Sequence, residues 1–133
     1  MHTCAQYIGL PYLPDGQGPH AFNCWTFVRW VQKEQFNRTL PEIPISGSNL
    51  TALARAFRDH PERQRWQRVT SPQEGDCVLL RQSRIPIHIG IWMSVDNSGV
   101  LHCVPESGVV FQSIPSLNQH GWQVEGFYRF QPA

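Results

Sequence analysis

The sequence predicts an α+β domain in which helices come first and an antiparallel sheet follows. Three observations carry this. Apolar residues recur with helical spacing from Cys24 to Phe36 and again from Leu50 to Phe57; from Gly75 onward the period falls to two; and turn residues then punctuate the chain at short intervals. With 133 residues, 41% of them hydrophobic, and five tryptophans, the chain can bury one core. Residues 1–133 are therefore expected to form a single domain.

Met1 to Leu10 is expected to hold a short helix or turn. Gly9 to Gly18 is a Pro/Gly-rich loop in which Tyr12 is the large amphipathic side chain. Asn23 is a good N-cap, so a helix should start at Cys24. Cys24, Phe27, Val28 and Val31 share one face of it, Trp25 and Trp30 widen the apolar surface, and Pro41 and Pro44 break the pattern. Leu50, Leu53, Ala54 and Phe57 predict a second helix, stopped by Pro61. Arginines 55, 58, 63, 65 and 68 follow, but Asp59 and Glu62 interrupt them, which suits a solvated helix end better than an anion site.

Gly75-Asp76 marks a turn into a buried strand, Cys77 to Leu80. Ile87 to Met93 alternates, with Ile87, Ile89, Ile91 and Met93 on one face and His88, Gly90 and Trp92 on the other. Asp96 to Gly99 is a hairpin signal, and Val100 to Val104 returns. Val109 to Ser113 and Glu125 to Phe130 complete the expected strands.

Eleven Lys and Arg against ten Asp and Glu leave a formal charge of +1, which argues against a nucleic-acid partner. No stretch spans a bilayer, and the first residues do not resemble a secretory signal; the expectation is synthesis in the cytoplasm, with any export left to other machinery. Cys4, Cys24, Cys77 and Cys103 are far apart, so neither a disulfide framework nor a zinc site is expected, and no cofactor fingerprint occurs.

Cysteine in the first turn of a helix meets unsatisfied N–H groups and the positive end of the helix dipole, a setting that favours thiolate. A nucleophilic thiol also needs a base and a group to orient that base. His88 and His102 fit, because each lies in an apolar strand and a short hairpin joins the two. If the Cys24 helix packs on the His88 face, all three groups converge, with Gly90 leaving room for the approach. His2, His20, His60 and His120 are weaker candidates, being terminal, in loops or before proline. Serine-hydrolase and phosphate-loop motifs are absent.

These residues resemble the NlpC-type cell-wall cysteine peptidases, which are papain-like α+β domains. The resemblance runs from about Tyr7 to Ser113. Tyr7-Ile8-Gly9-Leu10-Pro11-Tyr12 is similar to the segment with a substrate-site tyrosine, and Phe22-Asn23-Cys24-Trp25-Thr26-Phe27-Val28 to the nucleophile motif. Gly75-Asp76-Cys77-Val78-Leu79-Leu80 resembles the Gly-Asp strand, His88-Ile89-Gly90-Ile91-Trp92 the strand with the base, and Leu101-His102-Cys103 the strand with the third polar residue. The tryptophan after the cysteine, Leu40-Pro41 and Leu101-His102 look most like the phage-tail branch. The resemblance implies a Cys24–His88–His102 triad that hydrolyses peptidoglycan stem-peptide amides, such as the D-glutamyl–diaminopimelate bond. It implies substrate contacts from Tyr12, Asn23 and Trp25, no metal, and delivery by a phage tail or secretion apparatus, with an immunity protein as a further partner. Two departures stand out: Asn23 replaces the usual aspartate, and Thr26 a common glycine. The alternatives are a non-catalytic tail assembly or structural subunit, and a thiol hydrolase or acyltransferase acting on another amide or ester.

Overall fold

The computed structural model describes residues 3–42, 65–82 and 85–131. The second helix and most of the arginine run fall outside them. Helix α1 (Cys24–Phe36) lies against a six-stranded antiparallel sheet built from β1 (Trp66–Val69), β2 (Cys77–Gln82), β3 (Ile85–Met93), β4 (Gly99–Val104), β5 (Gly108–Gln112) and β6 (Gln123–Phe130), with a short helix α2 (Ile114–Gln119) between β5 and β6. The first residues form turns over 5–9.

The start of α1 is fixed by its own sequence. The Asn23 Oδ1 accepts from the N–H groups of Trp25 and Thr26 at 3.0 and 2.9 Å, and Thr26 Oγ1 accepts from the Asn23 N–H at 2.9 Å. This is a reciprocal capping box with threonine in the place usually held by Glu or Gln. Thr26 also donates to the Gly16 carbonyl at 2.6 Å, and Asn23 Nδ2 donates to the Pro14 carbonyl at 3.0 Å. Both departures from the family motif thus tie the Pro/Gly-rich loop to the helix. An aspartate could not donate the second of these bonds.

Sheet order is β1-β6-β2-β3-β4-β5. Strands β2 to β5 form the expected meander, but the chain then leaves it: α2 carries it across, and β6 inserts beside β2 with β1 on its outer edge. The sequence carried a signal for α2 that the periodicity alone does not reveal. Ser113 caps it by accepting from the Ser116 N–H, and a proline occupies its first turn.

Both faces of the sheet are covered. Phe27, Val28 and Val31 of α1 pack with Leu79, Ile89, Ile91, Met93, Leu101 and Cys103. Val78, Leu80 and Val100 point the other way, into a second cluster with Leu117 and Trp122. Gly75, with φ +87°, makes the turn into β2, and a Cβ there would lie 2.8 Å from the Phe36 ring. Its carbonyl accepts from Gln32 Nε2 at 2.9 Å, so the end of α1 is pinned to the start of β2.

Asn23→Asp, which restores the family residue, is expected to lower stability by about 1–2 kcal/mol. A second acceptor would replace the amide donor facing the Pro14 carbonyl in a buried site, outweighing the gain of a charged cap. A lower urea midpoint at unchanged slope checks this; an equal or higher midpoint refutes it.

Candidate active site

Strand β3 carries the two halves of the site on opposite faces. Ile89 and Ile91 face α1, whereas His88, paired with Leu80 of β2, faces the second cluster. The helix therefore packs on the isoleucine face of β3, not on the histidine face considered from the sequence. The reason is packing: Phe27, Val28 and Val31 bury far more apolar area against isoleucines than against imidazole and glycine. Gly90 makes room for a neighbour other than the helix. A Cβ on it would lie 2.5 Å from Val100 Cγ1 and 3.0 Å from His102 Cβ, so the glycine lets β4 approach and seats His102 beside His88.

Cys24 is fully buried, and the backbone N–H groups of Ile89, Trp25 and Cys24 itself act on its thiol in favour of the charged form. The thiol is thus close to the Ile89 N–H, on the peptide that follows His88, and to the first N–H groups of α1. Burial pushes the thiol up to about 12, and the three N–H donors only partly oppose this. The helix terminus favours thiolate as expected, but desolvation wins in this conformation. Cys4, Cys77 and Cys103 are also free, buried thiols, raised by burial to about 11, 12 and 12.

The structure brings His88 and His102 together. His88 Nε2 is 2.8 Å from His102 Nδ1, and His102 Nε2 is 2.8 Å from Gln112 Oε1. Both rings are buried, and Trp122 stacks on His88 at a centroid distance of 4.8 Å. Burial holds both rings neutral: His88 is pushed well below its usual value, with the neighbouring His102 adding to the effect, and His102 falls to about 4 despite its bond to Gln112.

A cleft of about 610 Å³ opens on this side, lined among others by Tyr12, His88, Glu106, Gln112, His120 and Trp122. Tyr12 is shared by the two halves. It lines the cleft, and its hydroxyl is raised first by burial and then by the nearby thiols Cys24 and Cys103. Asn23 and Trp25 are elsewhere; both are buried and bonded to main chain, Trp25 Nε1 to the Pro41 carbonyl at 3.0 Å. Sequence reasoning missed Gln112 and Trp122 and set His120 aside. Gln112 reaches His102 through the β4–β5 hairpin, where nothing local marks a strand glutamine as functional, and the β5-α2-β6 crossover brings His120 and Trp122 to the same side. Among the described residues, no three His, Cys, Asp or Glu side chains gather as a metal site.

The NlpC/P60 family model matches residues 9–128. The chain belongs to the NlpC/P60 family. This is a family of cysteine peptidases. Among solved structures, the chain is similar to NlpC2 from Trichomonas vaginalis (15% identity, TM-score 0.64, 95% of this chain and 44% of that one). It is similar to a Staphylococcus aureus protein described as similar to lipoprotein of the NLP/P60 family (18%, 0.63, 96% and 39%). It is also similar to the NlpC/p60 domain of the peptidoglycan hydrolase SagA (19%, 0.56, 93% and 89%). At these identities the likeness shows the fold, and the NlpC/P60 domain described here spans less than half of the first two proteins. No curated protein matches the chain in sequence. Among the described residues, no helix is long and apolar enough to cross a membrane.

Between pH 6.5 and about 4, the unfolded chain binds a proton at His102 that the folded chain refuses. Stability should therefore fall as pH drops through that window, by on the order of 3 kcal/mol for this group, and stay flat above it. His88 acts in the same direction. Urea midpoints at pH 7 and pH 5 test this: His102→Asn should flatten the dependence, and an unchanged slope would contradict it.

Proposed function

We propose that this domain is a cysteine amide hydrolase acting on peptidoglycan stem peptides, with the D-glutamyl–diaminopimelate bond as the specific substrate. Cys24 Sγ attacks the carbonyl carbon and passes its proton to His88. The N–H of Cys24, with Tyr12, stabilises the oxyanion. His88 then protonates the leaving amine as the C–N bond breaks, and water, activated by the same ring, releases the acyl group from sulfur. His102 orients His88.

One observation carries this reading: a buried thiol at a helix start lies near the N–H that follows a histidine, and that histidine is itself hydrogen-bonded to a second histidine. Family membership and the likeness to a peptidoglycan hydrolase domain support the substrate class. Asn23 and Trp25 act in this scheme by holding the helix start, and Tyr12 meets the substrate. Because Cys24 is fully buried beside Tyr12, substrate entry displaces the tyrosine loop. The same domain is delivered to the wall by a phage tail or secretion apparatus.

A second reading is favoured by one feature: Cys24 is fully buried, and that burial raises its thiol to about 12. On that reading the domain is a structural tail subunit that keeps the fold.

Cys24→Ala should abolish release of stem-peptide fragments, followed by mass spectrometry of muropeptides, while the circular dichroism spectrum is retained. Undiminished release would remove Cys24 from the chemistry. Iodoacetamide at neutral pH separates the two readings: opening over the thiol labels Cys24 ahead of Cys4, Cys77 and Cys103 when muropeptides are present, whereas equal labelling of all four supports the structural subunit.

A further inference from the structure

We infer that Gln112 is a positioning residue that decides which nitrogen of His88 carries the proton, through a three-member relay Gln112–His102–His88. The role of this relay in turnover rests on the hydrolase reading above; the proton placement stands on geometry alone.

The argument runs inward from the sheet edge. On β5, Gln112 pairs with Val100, and Val110 pairs with His102, so the amide lies diagonally across from the imidazole on one face. Its Oε1 lies 2.8 Å from His102 Nε2. An amide oxygen only accepts, so His102 Nε2 carries hydrogen. In a neutral ring the other nitrogen is then bare, and His102 Nδ1 must accept. Its neighbour at 2.8 Å is His88 Nε2, which therefore donates. His88 is left with a bare Nδ1, the nitrogen free to take up a proton. Turning the amide end for end reverses every step and puts hydrogen on His88 Nδ1, where it cannot act as a base.

The orientation of the amide is given by its contact with His102, and its far side meets α2 and His120. Gln112 Nε2 lies 3.1 Å from Ser116 Oγ and 3.3 Å from His120 Nδ1. His120 Nδ1 also lies 2.8 Å from the Ser116 carbonyl, which can only accept, so that nitrogen bears hydrogen. Gln112 Nε2 and His120 Nδ1 are thus both donors and do not bond each other; the Ser116 hydroxyl accepts from the amide in this orientation. Ser116 belongs to α2, so the short crossover helix holds the outer end of the relay. Trp122 stacks on His88 at the inner end and keeps its plane.

The test uses Gln112→Leu and Gln112→Glu. The first removes the acceptor at similar volume. The second keeps an acceptor that cannot be reversed. Nitrogen-15 NMR of the imidazoles reads the tautomers without any substrate. Wild type and Gln112→Glu should show His88 and His102 protonated at Nε2, and Gln112→Leu should lose that pattern. With stem-peptide fragments, Gln112→Leu should lower kcat roughly 10–100-fold at little-changed KM. Gln112→Glu should restore kcat and move the acid limb of the pH profile upward, because a carboxylate next to His102 favours its protonated form. Unchanged tautomers in Gln112→Leu overturn the inference, as does loss of activity through KM alone. If wild type cleaves no stem peptide while the tautomers shift as expected, the substrate assignment fails and the relay stands.

Discussion

Everything in this molecule depends on the period of one strand. In β3, Ile89 and Ile91 seat the helix, and His88 and Gly90 face the opposite layer with His102 and Trp122. A slip of one residue would drive imidazole into the helix contact and isoleucine into the cleft. Because both faces are buried, the register is specified twice over. The thiol therefore lies on the helix side of β3, near the Ile89 N–H, and the imidazole on the other.

The same economy governs the helix start. Asn23 and Thr26 satisfy the first N–H groups of α1 and also grip the loop at Pro14 and Gly16. That loop carries Tyr12, which a bridge to Phe22 draws back beside the helix start. Cap, loop and tyrosine form one unit, so substitutions at the two positions that depart from the family motif act on the placement of Tyr12 as well as on the helix.

Local features were legible in the sequence. Asn23 before an apolar run places the start of α1, and the Asp96–Gly99 turn joins the two histidine strands, whose rings do lie within hydrogen-bond distance. The packing face of the helix was not legible, because β3 offers large side chains on both faces and strand period does not say which face a helix will choose. Gln112 and Trp122 were hidden for different reasons. Gln112 sits on a strand that the sequence does predict, beside β4, but one polar residue near a strand end carries no functional signal. Trp122 arrives through a crossover whose direction depends on β6 inserting next to β2, a long-range pairing without local trace. Trp66 to Val69 was hidden within the arginine-rich stretch, where charge obscured a short edge strand.

The burial of Cys24 also governs how it meets oxidants. Oxidants and disulfides attack thiolates that solvent can reach, and a sulfur raised to about 12 and fully covered offers them neither charge nor access. Such a residue is shelf-stable. While it stays covered, it is protected from sulfenylation and from mispairing with the other three cysteines.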